Sequence, residues 1–244
     1  YSCNCKLKSM NNYIILLTAL LPVVILVYYI YHKDKKSPEP TGHLVKTFLW
    51  GILSVPLSTC ISIPLGLIGV YPTEATSILG SVSAAFFGAA IPEEIAKFIM
   101  LWLLLRKNPY FDEKMDGIVS AVCVSLGFAA LENIMYLFSN AESYLSVGIA
   151  RAIFAVPGHF CFGILMGYYY SLAKFYPKTP KKNKALILVA PIIVHGLYDS
   201  ILFIINVIPA ISGILLIVFL VFCHKMWKYG SKSIQEHLKR DYLI

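Results

Sequence analysis

Seven apolar runs, each about as long as a bilayer is thick, dominate the chain: Asn11–Tyr31, Leu44–Val70, Ser77–Leu105, Gly117–Phe138, Val147–Tyr170, Ala185–Ile205 and Ile208–Trp227. A helix needs roughly 20 apolar residues to cross about 30 Å of hydrocarbon. Lipid offers no hydrogen-bond partners, so a spanning segment must satisfy its own backbone, as a helix does. A transmembrane barrel would instead show alternation over about ten residues, and these runs are continuous. Only 14% of the residues are charged and 58% are hydrophobic, against roughly 25% charged in a soluble domain. Too little polar surface exists to coat a soluble globule. The chain therefore reads as an all-α polytopic membrane protein, a single helical bundle of about seven transmembrane helices forming one domain over residues 1–244.

The net charge of +8 would suit a nucleic-acid binder if it formed a patch, but its distribution excludes that. Lys33, Lys35, Lys36 and Lys46 follow the first run, and Arg106, Lys107 and Lys114 follow the third. Lys174, Lys178, Lys181, Lys182 and Lys184 follow the fifth, and Lys225, Lys228, Lys232, Lys239 and Arg240 close the chain. These four segments hold 17 of the 21 Lys and Arg residues, whereas the connections 71–76, 140–146 and 206–208 hold none. By the positive-inside rule the N-terminus lies outside and the C-terminus inside. The expectation is a multi-pass protein of the cell (cytoplasmic) membrane, with 229–244 as a cytoplasmic tail and 206–208 as a tight outer turn. Lys6 and Lys8 run weakly against the rule. Met10 stands directly before the first run, so residues 1–9 are read as lying upstream of the native start. The first run is long and is followed by basic residues, unlike a removable signal peptide.

The six cysteines show no C-x-x-C spacing and read as small apolar residues. His32, His43, His224 and His237 fall at run ends or in loops and are expected at the membrane interface.

Eight ionisable residues sit inside the runs: Glu93, Glu94, Lys97, Glu132, Arg151, His159, His195 and Asp199. Each is costly at membrane depth and marks a functional candidate by default. At 1.5 Å per residue, Glu93 and Glu94 lie about 3–5 Å from the middle of their run, Glu132 about 7 Å outward of its own, and His159 and His195 near the centres of theirs. Four helices thus bring an acid or a histidine into one slab. Both glutamates can reach Lys97, three and four positions on. Pro92 just before them kinks or restarts the helix. Asn133 is a neutral partner beside Glu132, and Asp199, four residues after His195, can orient its imidazole. Gly163 and Gly167 share a face with His159 and admit a neighbouring helix. Lys97 reads as a neutraliser of the glutamate pair. Arg151 either balances charge or snorkels, and Asp199 either supports His195 or serves a helix interface.

The ordered set Glu93-Glu94-x-x-Lys97, Phe128-x-x-x-Glu132-Asn133, Arg151 then His159, and His195-x-x-x-Asp199 resembles the PrsW family of intramembrane proteases. Its motif plan is similar to that of the CAAX-processing and bacteriocin-processing proteases. The resemblance spans about Met10 to His224 and takes in Tyr31, Asp34 and Glu39-Pro40. It implies an active-site set of Glu93, Glu94, Glu132, His159 and His195, and site-1 cleavage of a membrane-anchored substrate such as an anti-sigma factor.

The residue types suit hydrolysis, which needs an activated water, an oxyanion stabiliser and an acid for the leaving amine. Glu93 or Glu94 would be the general base. His159, His195 and Glu132 could hold a divalent metal, zinc by preference; without metal the histidines would donate to the oxyanion. No H-E-x-x-H occurs, so a zincin site is excluded, and neither serine nor intramembrane aspartyl signatures are present. Midplane carboxylates and a proline-broken helix would also serve an ion- or proton-coupled transporter. No inverted repeat is visible to support one. A non-catalytic helix-binding scaffold is the third reading.

Reporter fusions at Lys36, Asn108 and Lys181 should all report the cytoplasmic side. An external signal at any of them would break the topology.

Overall fold

The computed structural model describes residues 2–34, 37–176 and 180–242, with no strand among them. Tyr1, the loop lysines Lys35, Lys36 and Lys178, and the last two tail residues lie outside the described residues. The described residues form nine α-helices: α1 (Ser2–Lys33), α2 (Thr41–Leu67), α3 (Ile78–Ser83), α4 (Ile91–Leu105), α5 (Lys114–Ser139), α6 (Tyr144–Ala150), α7 (Val156–Phe175), α8 (Pro180–Val207) and α9 (Ser212–Tyr242). A π-helical segment, Ala84–Ala90, joins α3 to α4, and another, Arg151–Ala155, joins α6 to α7. The chain therefore makes seven long passes: α1, α2, α3–α4, α5, α6–α7, α8 and α9. Six of them contain a stretch long and apolar enough to cross a membrane. The exception, α3–α4, holds Glu93, Glu94 and Lys97 close together. The protein is an all-helical, multi-pass membrane protein.

Helix α5 is the axis of the bundle. Its residues from Lys114 to Ala130 are all buried. Met115, Ile118, Val119, Val122 and Leu126 meet Phe160, Ile164 and Tyr168 of α7 and Val23 and Ile30 of α1 in the main core cluster. Small residues set how closely neighbours approach. A Cβ on Gly167 would lie 2.3 Å from the Gly117 carbonyl oxygen, and one on Gly163 would lie 2.9 Å from Val122 Cα. A Cβ on Gly51 of α2 would fall 2.1 Å from the Val124 carbonyl oxygen of α5. Backbones can meet this closely only where side chains are absent, the usual basis of helix association in lipid.

The outer passes instead turn apolar side chains outward. Leu17, Leu21 and Ile25 of α1, Leu49 and Leu53 of α2, and Ile214, Ile217 and Val221 of α9 are all exposed. In water such a surface would be an aggregation hazard; as a belt around a bundle it is what lipid covers.

The ends differ from the sequence reading in detail. Helix α9 continues through residues 229–242, and its end packs on the bundle rather than trailing as a free tail. Asp241 accepts hydrogen bonds from the Lys114 and Met115 backbone amides and from Lys114 Nζ at 2.9 Å, capping α5. His237, expected at the interface, is fully buried and stacked on Tyr168 at 4.4 Å. The expected tight turn at 206–208 is a 3-10 turn over Pro209–Ile211.

Replacing Gly167 with Ala forces α5 and α7 apart and should cost about 1–3 kcal/mol, in the range for overpacking. Gly213→Ala, where nothing lies within 4 Å, should be silent. Thermal unfolding in detergent would compare them, and equal Tm values would contradict this account of the α5–α7 seam.

Candidate active site

The same local device appears twice. An interior proline lacks an N–H and its ring clashes with the carbonyl four residues back. Pro92 follows the π segment Ala84–Ala90 by one intervening residue, and Pro157 follows Arg151–Ala155 in the same way. The wider π turns absorb the break, and such turns recur at functional sites. Glu93 and Glu94 come directly after the first proline, and His159 two residues after the second. Gly196, beside His195, makes room for the first π segment, since a Cβ there would lie 2.4 Å from the Phe86 ring.

Four passes converge. Lys97 Nζ donates to Glu94 Oε1 at 2.8 Å and Glu93 Oε2 at 3.3 Å, and lies 3.1 Å from His159 Nδ1. An ammonium can only donate. His159 Nδ1 therefore accepts from Lys97, which leaves Nε2–H to donate to Glu132 Oε2 at 2.9 Å. Arg151 NH2 also donates to Glu132 Oε2, at 2.7 Å, and its Nε donates to Asn133 Oδ1 at 2.5 Å. Asn133 in turn donates to the Ala19 carbonyl of α1 at 3.1 Å. His195 lies between two carboxylates: Nδ1 is 2.9 Å from Glu94 Oε1 and Nε2 is 3.2 Å from Asp199 Oδ2. The imidazoles meet edge to face, 5.7 Å apart.

All nine residues singled out in the sequence thus enter one connected network. Arg151 is an ion-pair partner of Glu132 rather than a snorkelling residue. Aromatic walls complete the site: Phe128 from the motif ahead of Glu132, and Phe162, which no motif marked. Phe162 stacks on His195 at 4.4 Å, and Phe128 lies under Lys97 with 4.2 Å from Nζ to the ring centroid. The only signal for Phe162 was spacing, three residues after His159; Phe128, four before Glu132, stood in its motif. Ser125 of α5 donates to the His159 carbonyl at 2.6 Å. It reaches that atom because Gly163, one turn on, lets α5 come close.

Accessibility separates the members. Glu94 and Lys97 have 0–1% of their side-chain surface exposed, whereas Arg151, Glu93, Asp199 and Glu132 keep 13–18%. The second set makes the accessible edge of the cluster.

Four carboxylates face two fixed cations, so the cluster suits a divalent ion. Glu93, Glu132 and His159 offer ligand atoms within 4.8 Å of one another, as do Glu93, Glu94 and His195. Glu94 Oε2 is buried and has no hydrogen-bond partner, an acceptor that an ion could use. The trio Glu132, His159 and His195, anticipated as ligands, does not form one such group among the described residues, because the two histidines face different carboxylates. Glu93 is common to both groups.

A carboxylate–histidine cluster thus lies inside a multi-pass bundle, and similarity to known proteins says which class of protein carries it. The chain belongs to the PrsW family of intramembrane metalloproteases, which matches residues 39–224. It is 36% identical over 228 residues to Protease PrsW of Clostridioides difficile (strain 630), covering 92% of each chain. It is 37% identical over 182 residues to Protease PrsW of Geobacillus kaustophilus, covering 74% of this chain and 76% of the relative. Protease PrsW of Bacillus subtilis (strain 168) is 31% identical over 225 residues, with 91% and 94% covered. No solved structure matches significantly. The protein is an intramembrane protease that acts on membrane-embedded substrates.

Removing Arg151 leaves Glu132 short of a cation in a largely dry site. Arg151→Ala should destabilise the protein by about 3 kcal/mol, the scale for breaking a buried pair. Glu132→Gln added to it should restore much of the loss. A double-mutant thermal analysis with no such rescue would refute the pairing.

Proposed function

We propose that the protein hydrolyses a peptide bond of a membrane-anchored substrate at this cluster, with Glu93 as the general base. The observation that carries this reading is the position of Glu93: it is the carboxylate common to both potential ligand groups, and it is accessible where its neighbour Glu94 is sealed. Glu94 is a positioning residue, held between Lys97 and His195. Lys97 keeps the glutamate pair and His159 in register, and Asp199 fixes the His195 ring. A general base of this kind contributes about 10²–10⁴-fold in rate.

The donor set of imidazole nitrogen and carboxylate oxygen suits zinc. His159 with Glu132, or His195 with Glu94, would hold it beside Glu93, which is left as the base; the anticipated pairing of both histidines would need the cluster to tighten. When bound, zinc would acidify water and polarise the scissile carbonyl. The chain's own part is to take the proton of the attacking water at a Glu93 carboxylate oxygen. It must also present Arg151, and without metal His159, toward the developing oxyanion, and exclude bulk water with Phe128 and Phe162. The proton reaches the leaving amine from the same carboxylate, so water is added across the bond and balance is kept.

By family resemblance the substrate is an anti-sigma factor cut at its first site, in the cell membrane, with the basic loops on the cytoplasmic side. The transporter and scaffold readings gain no support from the relatives, which are proteases by name.

Glu93→Gln and Glu94→Gln test the assignment. Both should lower cleavage of a membrane-anchored reporter by at least about 100-fold. Only Glu94→Gln should also lower Tm clearly, since it alone breaks a fully buried pair. Wild-type cleavage by Glu93→Gln at normal expression would refute the proposed base.

A further inference from the structure

A second set of carboxylates lies at the opposite end of α5 from Glu132, and the proteolytic site does not use it. Asp34 follows α1, Glu39 precedes α2, Asp112 and Glu113 precede α5, and Asp116 is in its first turn. Several are satisfied. Asp116 Oδ2 accepts from the Glu113 and Asp112 amides at 2.6 and 3.1 Å, and Asp241 of α9 caps the next two amides. The two interhelical residues are not. Asp34 and Glu39 are only 3% and 4% exposed, and Asp34 Oδ2 and both Glu39 carboxylate oxygens are buried without a hydrogen-bond partner. Buried polar groups are almost always paired, so three orphaned oxygens from two adjacent carboxylates call for a ligand.

What surrounds them narrows its chemistry. Asp34 lies in the repulsive field of Glu113 and Asp241, and Glu39 in that of Asp34 and Asp112. Asp116 in turn feels Glu39 and Asp34. Among the described residues, two cations near them have other partners: Lys114 Nζ pairs with Asp241, and Lys174 Nζ donates to the Phe111 carbonyl. Burial first, then this mutual repulsion, pushes the Asp34 and Glu39 carboxyls up to about 7, so near neutral pH they can ionise for a cation. The Cys123 thiol of α5 also lies in the field of Glu39, but the two orphaned side chains offer oxygen only. That set selects a hard divalent ion over zinc. These carboxylates do not supply three ligand atoms within 4.8 Å. An ion held by only one or two carboxylates, with other oxygen ligands completing its shell, is the habit of magnesium.

We infer that Asp34 and Glu39 form a binding site for a hydrated divalent cation of the magnesium or calcium class, separate from the proteolytic cluster, that ties the end of α1 and the start of α2 to the capped start of α5. The ion neutralises the repulsion among these carboxylates and fixes three passes at one face of the bundle. Through α5, which carries Glu132 at its far end, it stabilises the scaffold of the site without touching substrate.

The test is thermal unfolding of the chelator-treated full chain in detergent, titrated with MgCl2 or with CaCl2 at ionic strength held constant with NaCl. Wild-type Tm should rise by roughly 2–5 °C with at least one of the two salts. Glu39→Gln and Asp34→Asn should abolish that rise, and in chelator each should melt no lower than wild type, because each removes a buried unpaired charge. His159→Ala, which alters the proteolytic cluster, should keep the full response. Failure of the cluster assignment and failure of this one are thereby distinguishable. A wild-type Tm unmoved by both salts, or a Glu39→Gln protein that responds as wild type does, overturns the inference.

Discussion

The rest of the site depends on one buried ammonium. Lys97 is 1% exposed, and it touches Glu93, Glu94 and His159 at once. Removed from water, two adjacent carboxylates repel strongly, and an uncompensated charge at this depth would cost several kcal/mol. Lys97 turns that cost into order: it binds both glutamates of α4, directs a hydrogen bond to α7, and so dictates which nitrogen of His159 faces Glu132. Arg151 does the same for Glu132 and, through Asn133, anchors the pair to α1. Charge compensation and active-site geometry are here the same set of contacts.

That network can form only because the helices around it come close and then break. Glycines at 117, 163 and 167 bring α5 and α7 together, and the π segments ahead of Pro92 and Pro157 re-aim the turns that bear Glu93, Glu94 and His159. The sealed half of the cluster, Glu94 and Lys97, gives rigidity. The slightly exposed members, Glu93, Glu132, Arg151 and Asp199, leave an edge that the proposed hydrolysis would use. A protease working in lipid needs both, since water must be admitted to the reacting bond yet kept from the rest of the bundle.

Much of this was legible beforehand, for physical reasons. Lipid imposes length on apolar runs, so the seven passes were readable to within a few residues at most ends. Charged residues are so costly there that Glu93, Glu94, Lys97, Glu132, Arg151, His159, His195 and Asp199 stood out, and common depth predicted their meeting. Partner choice was not legible. Spacing along one helix says nothing of azimuth between helices, so which carboxylate each histidine faces, and the role of Glu93 as the shared group, came only from the structure. Phe162 was hidden because an aromatic in an apolar run carries no signal of its own. The docking of residues 229–242 was missed because their polarity reads as solvent exposure, whereas Glu236, His237 and Asp241 find partners on α5 and α7.

The central claim is that one cluster both holds the metal and performs the hydrolysis. The most direct measurement is zinc content and reporter cleavage on the same purified samples, before chelation, after it, and after zinc is restored. The account predicts that the two quantities fall and recover together in wild type, and that His159→Ala and His195→Ala lose both. Full cleavage by metal-stripped protein, or wild-type zinc content in both histidine variants, would contradict it.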